Sequence, residues 1–492
     1  MTTIAARGAT PAGPARQPMT SRIAWSALTR SSPLTELSAF HGWFSDHGRT
    51  AYTNVELVAL DELDGWRTDP ATGNIGHHSG RFFTVEGMRV ELPGGPVPHW
   101  DQPIISQPEV GILGILVKEF AGVLHFLMQA KVEPGNCNGL QLSPTVQATR
   151  SNYTGVHGGR GVPYIDYFRE SSRHVVLADV RQSEQGAWFR QKRNRNMIVE
   201  VVGEVELMDG FCWLTLGQLH ELLRADDLIN MDARTVLSCL PFTGADLSVF
   251  ADDTDRFGAA LLASCDSGAA SLHSTAAILS WITEARIAHE VRALRLPLAE
   301  VRRWVRTSER ISHETNAFFD VIGVHVTAGG REVGQWSQPM IEPRGTGVTA
   351  FLVADLDGVL HVLVHARVEP GFVDVVELAP TVQCTPDNYT LLPAPAHSPY
   401  LDDVVHADAG AVRFAATLSE EGGRFYHARN RYLIVQTDAD SVVVHPGYRW
   451  MTLHQLTDLL RHSNYLNVQA RSLVACLHSL FAAATGAGTP TR

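Results

Sequence analysis

The sequence predicts an α+β protein made by tandem duplication of one mixed-sheet domain, with its two copies packed about a pseudo-twofold axis. Three observations lead there. Ala130–Tyr153 (AKVEPGNCNGLQLSPTVQATRSNY) returns at Ala366–Tyr389 (ARVEPGFVDVVELAPTVQCTPDNY), shifted by 236 residues without a gap and identical at 13 of 24 positions. Self-similarity on that scale marks a duplicated domain rather than a solenoid of short repeats. The middle of each copy reads as apolar strands bracketed by helical spacing, the pattern of a mixed sheet with segregated helices. The chain has 492 residues, 45% of them apolar. That is ample for two cores of roughly 200 residues each.

Residues 1–31 are expected to form a disordered leader, because the first 22 are rich in Ala, Pro, Gly and Thr and lack an apolar stretch of signal-peptide type. The first copy is expected over 32–240. It opens with a helix over Pro33–Asp46, with Ser32 as its cap and Pro33 in its first turn. His77–Glu91 reads as two short strands around Gly87. Gly111–Glu119 and Gly122–Val132 read as adjacent central strands. A Gly-rich loop follows at 154–162, then strands at His174–Arg181 and Asn196–Val202. Two helices close the copy at Leu214–Arg224 and Ala233–Leu240. Residues 241–272 lose periodicity and are expected to be the linker. The second copy is expected over 273–481, and 482–492 is a flexible tail. Trp43, Trp66, Trp100 and Trp213 recur as Trp281, Trp304, Trp336 and Trp450, so the loops were barely edited.

Composition narrows the function. A formal net charge of -12 with no basic block leaves no footprint for nucleic acid or anionic lipid. Six cysteines without clustered spacing argue against a disulfide framework and against zinc. No apolar run reaches the ~18 residues of a membrane span, so a soluble, cytoplasmic protein is expected. The fingerprints of dinucleotide sites, P-loops, nucleophile elbows and zincins are missing. No cofactor and no metal are expected.

The duplication also sorts the polar residues. Lys131 and Glu133 recur as Arg367 and Glu369. A cation and a carboxylate on one face of an extended chain read equally as a proton-transfer pair or as an ion pair closing the sheet edge. Gln147, Asn152 and Tyr153 recur as Gln383, Asn388 and Tyr389. An amide beside a Tyr suits a planar base or a sugar hydroxyl, or simply a buried turn. Arg193-Asn194-Arg195 recurs as Arg429-Asn430-Arg431 and reads as a diphosphate grip or as exposed charges at a strand start. Trp100 and Trp336 stack on a base or pack a core. His77 recurs as His313. His157, Arg160 and Tyr167, in or beside the Gly-rich loop, have no counterparts.

SGRFF, WDQP, AKVEPGN, LSPTVQATRSNY, PYIDYF and RNRNMIVEV in the first copy, with GQWSQP, ARVEPG, LAPTVQC and RNRYLIV in the second, resemble the nucleotide-sugar 2,3-dehydratases of antibiotic deoxysugar pathways. The resemblance spans about residues 33–480. It implies a duplicated Nudix-like fold, usually a homodimer, acting on dTDP-4-keto-6-deoxy-glucose. It also implies two nucleotide-sugar pockets, one of them a possible relic. The Nudix box of metal-binding carboxylates is missing, and Glu420-Glu421-Gly422 is too isolated to replace it. The expected reaction is removal of the C3 proton and loss of the C2 hydroxyl, giving a 3,4-diketo-2,6-dideoxy sugar for a downstream 3-ketoreductase. Residue type, not the resemblance, assigns the roles: Glu133 as the base, Lys131 or Tyr153 at the C4 oxygen and His157 as a candidate acid. Arg193 and Arg195 take the diphosphate, Trp100 and Gln147 lie near the thymine, and His77, Asn152, Arg160 and Asn194 also bind substrate. The second pocket would hold His313, Trp336, Arg367, Glu369, Gln383, Tyr389, Arg429, Asn430 and Arg431. Two other readings are a non-catalytic nucleotide-sugar binding protein and a Nudix-like diphosphatase.

Overall fold

The apolar hairpin legible in the sequence is the centre of each copy. In the first, strands Gly111–Phe120 and Val123–Val132 pair antiparallel. Arg193–Glu200 runs parallel to Gly111–Phe120, and Val175–Ser183 closes that edge. Phe211–Thr215, Leu140–Ser143 and Val146–Ala148 complete a seven-stranded mixed sheet. The second copy repeats it around Gly347–Leu356 and Val359–Val368. Central strands buried on both faces read as unbroken apolar runs rather than alternating ones, and Gly111–Lys118 is buried throughout. The computed structural model describes residues 17–150, 161–242, 255–329 and 334–481.

Helices cover one face of each sheet. Leu216–Leu222 starts from a capping box between Thr215 and Gln218, and Leu453–Leu459 from the same box between Thr452 and Gln455. Met231–Leu237 and Val468–Ser479 begin at Asn230 and Asn467, whose side chains accept from Ala233 N and Ala470 N. Phe126 and Val236 of the first copy share one core with Phe351 and Leu473 of the second. Burying Arg234 and Arg471 completely within it is tolerable because each guanidinium is hydrogen-bonded across the copies. Arg234 donates to Ser419 O at 2.6 Å, and Arg471 donates to Ser183 O at 2.5 Å.

The copies also exchange strands. Thr53–Val58 of the first pairs antiparallel with Gly323–Ala328 of the second, and Arg292–Leu296 of the second pairs with Gly87–Glu91 of the first. Two five-stranded sheets result, each containing one foreign strand. Gly87 permits the exchange, since a Cβ there would lie 2.8 Å from Leu296 O. At Gly323 it would lie 2.6 Å from Val58 O. The reciprocal contacts continue: Trp66 Nε1 donates to Ser337 O at 2.7 Å and Trp304 Nε1 to Asp101 O at 2.9 Å.

Four expectations are corrected. Residues 19–28, placed in the leader, form a helix, Met19–Leu28, that buries Ile23, Ala27 and Leu28. Ser26 Oγ donates to Leu124 O at 2.6 Å and accepts from Leu216 N at 2.9 Å, while Arg22 pairs with Glu200 at 2.6 Å. Its counterpart, Arg256–Ser264, lies in the stretch read as linker and packs on the second copy, with Ser264 Oγ accepting from Leu453 N at 2.7 Å. Both helices have short apolar faces that their Ala-, Gly- and Pro-rich surroundings concealed. The helix expected from Pro33 starts at Leu37. Gly87 does not divide two strands; it lies inside Thr84–Glu91, at the exchanged strand.

No helix among the described residues is long and apolar enough to cross a membrane.

Candidate functional site

A cavity of ≈ 1300 Å³ opens on the first copy's sheet and is walled by both copies. The first contributes Lys131, Glu133, Gln147, Glu184, Lys192, Asn194 and Asp232, with Trp66, His77, Phe82 and Phe83 from its outer sheet. The second contributes Trp336, Gln338, Glu421, Gly423 and Arg424. Its size exceeds the ~300–1,000 Å³ of ordinary small-molecule sites.

The strand leaving Lys131 sets one wall. Gln147 Nε2 donates to Glu133 Oε1 at 2.8 Å, and Asn230 Nδ2 donates to Gln147 Oε1 at 3.1 Å. Asn230 caps the helix Met231–Leu237, so that helix's N-terminus is tied to Glu133 through one amide. Lys131 Nζ lies 3.9 Å from Glu133 Oε1. The second copy repeats every link. Gln383 Nε2 donates to Glu369 at 3.0 Å, Asn467 Nδ2 to Gln383 at 2.7 Å, and Arg367 Nε to Glu369 at 2.8 Å.

Glu184 is held in the same repeated way. Asn194 Nδ2 donates to it at 2.7 Å, and Asn430 Nδ2 donates to Glu420 at 2.6 Å.

The Pro-Gly turn after Glu133 brings in the second copy. Gly135 N donates to Gly422 O at 2.7 Å, and His427 N donates to Gly135 O at 2.8 Å. Gln338 Nε2 donates to Gly423 O at 2.7 Å, and the Arg424 guanidinium stands 4.4 Å from the Phe83 ring centroid. These contacts pin Glu421 to the cavity wall. Its Oε1 accepts from Gly423 N at 3.1 Å, while its Oε2 has no hydrogen-bond partner.

Burial dominates the electrostatics. It pushes Asp232 well above the usual carboxylate range, reinforced by Glu184, Glu133 and Glu421 and opposed by Lys131. It raises Glu421 to about 7, opposed by Arg424 and reinforced by Glu133 and Glu184. Glu184 is also raised by burial, against Arg471 and Lys192. Burial lowers Lys192 to about 8, against the attraction of Glu184. Lys192 Nζ donates to Glu109 O. Glu184 Oε2 and Asp232 Oδ1, on side chains 3% and 4% exposed, are also unpartnered. No group of three or more His, Cys, Asp or Glu among the described residues is placed to hold a metal ion.

Of the residues expected in the first pocket, His77, Lys131, Glu133, Gln147 and Asn194 line the cavity. Trp100 does not; its Nε1 donates to Gln102 Oε1 at 2.7 Å beside Met88 and Val90. Arg193 and Arg195 point off the face that Asn194 presents, as alternate residues of one strand must. Arg195 pairs with Asp179 at 2.6 Å. The expected diphosphate grip is therefore not assembled there. Trp336, assigned to the second pocket, lines the first, because strand exchange carries the second copy's outer sheet across. Arg429 pairs with Asp227 at 2.7 Å, and Arg431 is exposed on the same strand as Asn430. His313 packs edge-on to Phe318 as His77 does to Phe82, and Tyr389 stacks on His397 at 4.1 Å. Asn152, Tyr153, His157 and Arg160 lie outside the described residues.

Sequence reasoning passed over Glu184, Lys192, Asp232, Glu421 and Arg424. A signal existed. At equivalent positions the other copy carries Ala428 for Lys192, Gln469 for Asp232, Gln185 for Glu421 and Trp188 for Arg424. What hid it is that Glu421 and Arg424 belong to the second copy but serve the first copy's cavity.

An open cavity, lined by perturbed acids and a perturbed lysine and completed by a second copy of its own domain, defines a small-molecule enzyme built by duplication. The chain belongs to the NDP-hexose 2,3-dehydratase family, whose model matches residues 37–240 and 275–477, one match per copy. It is 51% identical over 479 residues to a dTDP-4-dehydro-6-deoxy-alpha-D-glucopyranose 2,3-dehydratase of Saccharopolyspora spinosa, covering 96% of this chain and 98% of that one. A protein of the same name from Amycolatopsis orientalis is 49% identical over 470 residues, covering 94% and 95%. Another from Streptomyces violaceoruber is 48% identical over 451 residues, covering 91% and 98%.

Proposed function

We propose that this protein dehydrates dTDP-4-keto-6-deoxy-D-glucose across C2 and C3 in the cavity of the first copy. The C4 ketone acidifies the C3 proton. A base removes that proton and negative charge moves to the C4 oxygen. The enolate then reforms the ketone as the C2–O bond breaks, and an acid supplies the proton that turns the departing hydroxide into water. The resulting enol becomes the 3,4-diketo-2,6-dideoxy sugar. The step is redox-neutral. It asks the site for a base, an acid and a donor to the enolate oxygen, each worth roughly 10²–10⁴ in rate or a few kcal/mol.

The observation that carries the reading is that Glu421, Asp232 and Lys192, all perturbed by burial, meet in one cavity of nucleotide-sugar size. Trp66, Phe83 and Trp336 offer it aromatic surface for a base. In this reading Glu133, tied to Gln147 and Lys131 in both copies' manner, anchors the wall rather than moving protons. Nudix-like architecture, a homodimer and transfer of the labile diketone to a 3-ketoreductase complete the proposal; their support is the family resemblance and the instability of the product.

Incubating the protein with the keto-sugar, and trapping with a 3-ketoreductase and its reduced nicotinamide, tests it. Loss of one water from the sugar is expected. Unchanged sugar would favour a binding protein, and release of dTMP a diphosphatase.

A further inference from the structure

Resting on that reading, we propose that Glu421, supplied by the second copy, is the catalytic carboxylate that takes the C3 proton and returns it to the departing C2 hydroxyl. Five carboxylates line the cavity: Glu133, Glu184, Asp232, Glu421 and Asp209, the last exposed to solvent and so a poor proton carrier beside the four sheltered ones. Two of them are framework. Glu133 accepts from Gln147 and Glu184 from Asn194, and both bonds recur at Glu369 and Glu420 in the second copy. A hydrogen bond that both copies make cannot be what distinguishes one cavity from the other.

Asp232 and Glu421 are the exchanged pair. Their counterparts are the neutral amides Gln469 and Gln185. Gln185 Nε2 is spent on Glu420 Oε2 at 2.8 Å, so at that position the amide makes a structural bond between the copies. Each position leaves one oxygen unbonded, Gln185 Oε1 and Glu421 Oε2, but only the carboxylate, on the cavity wall, can take up and release a proton. Lys192 and Arg424 are likewise replaced, by Ala428 and Trp188. Each of these four exchanges takes an ionisable group away from the counterpart of this cavity.

Of the exchanged acids, Asp232 is the more deeply buried, and three carboxylates press a proton onto it, which suits a standing donor. Glu421 feels the like charges of Glu133, Glu184 and Asp232 and the opposite charges of Arg424 and Lys192. Raised to about 7, it is present as both base and acid at neutral pH, the condition a single proton carrier needs. The substrate's stereochemistry allows one carrier. In a gluco-configured ring the C3 hydrogen and the C2 oxygen lie on the same face, so one carboxylate can break the C3–H bond and then protonate the C2 oxygen as the C2–O bond breaks.

The test is Glu421→Gln in the full chain. Glutamine stands at the equivalent position 185, so the loop accepts it, and an unchanged melting curve checks this directly. The expected result is a kcat loss of about 10³-fold, within the range for a general acid–base. dTDP affinity should hold within about threefold, and solvent deuterium should no longer wash into C3 of the keto-sugar. Glu421→Asp should regain part of the exchange. The proposal is overturned if Glu421→Gln keeps C3 exchange at a rate near wild type, or if Glu133→Gln alone abolishes it in a folded protein. Failure of wild type to dehydrate the sugar would instead sink the functional reading.

Discussion

The amide of Gly135 in the first copy donates a 2.7 Å hydrogen bond to the carbonyl of Gly422 in the second, and the amide of Gly371 donates one of 2.8 Å to Gly186 in return. A Cβ at Gly135 would lie 1.8 Å from Phe425 O, and one at Gly371 1.9 Å from Phe189 O. Both are backbone atoms that cannot swing aside. Gly135→Ala and Gly371→Ala should each destabilise the protein by about 2 kcal/mol or more. Only Gly135→Ala displaces the loop that bears Glu421. Urea midpoints should therefore fall in both variants, while kcat of the folded fraction falls in Gly135→Ala alone. Equal activity loss in the two would contradict this placement of the site.

Glu377 accepts from Ser183 Oγ at 2.5 Å across the copies, and burial pushes its carboxyl up to about 8. A raised folded value means the contribution to stability is complete below the unfolded value of about 4.3. It is lost as pH rises through about 8. The equivalent residue is Gln141, which accepts from Ser419 Oγ at 2.8 Å and stays neutral at every pH. Glu377→Gln should therefore be more stable than wild type at pH 8 by more than about 1 kcal/mol, with a smaller gap at pH 5. Denaturant midpoints at the two pH values check it, and a pH-independent gap would refute it.

Lys192 keeps its proton below about 8 and loses it above. If that charge stabilises the enolate, kcat falls as pH rises through about 8. Lys192→Arg should move this alkaline limb upward, because guanidinium does not titrate there. Lys192→Ala, which installs the residue found at 428, should lose about 10²-fold in kcat. An unshifted limb in Lys192→Arg would assign the titration to another group.

Much of the frame was legible because duplication writes the same local physics twice. The hairpin Gly111–Phe120 and Val123–Val132, the helices that close each copy and the Lys131–Glu133 pair all depend on neighbours close in sequence or on spacing that recurs. Met19–Leu28 and Arg256–Ser264 were missed because each is a short helix whose apolar face is set among residues of loop-like composition. Their stability comes from the sheet they cover, as for most short helices.

The sequence by itself determined that there are two copies of one α+β domain, which family they belong to, and that a carboxylate and a cation end the central strand. Only the tertiary structure decided that strands are exchanged, that Trp336 faces the first copy's cavity, that Arg195 is committed to Asp179, and that Glu421 and Arg424 of the second copy complete a site on the first. The reason is physical. Strand identity and caps are set by interactions over a few residues, whereas the charge state of Glu421, Asp232 and Lys192 is set by burial and by one another's fields across two copies. No local pattern encodes that.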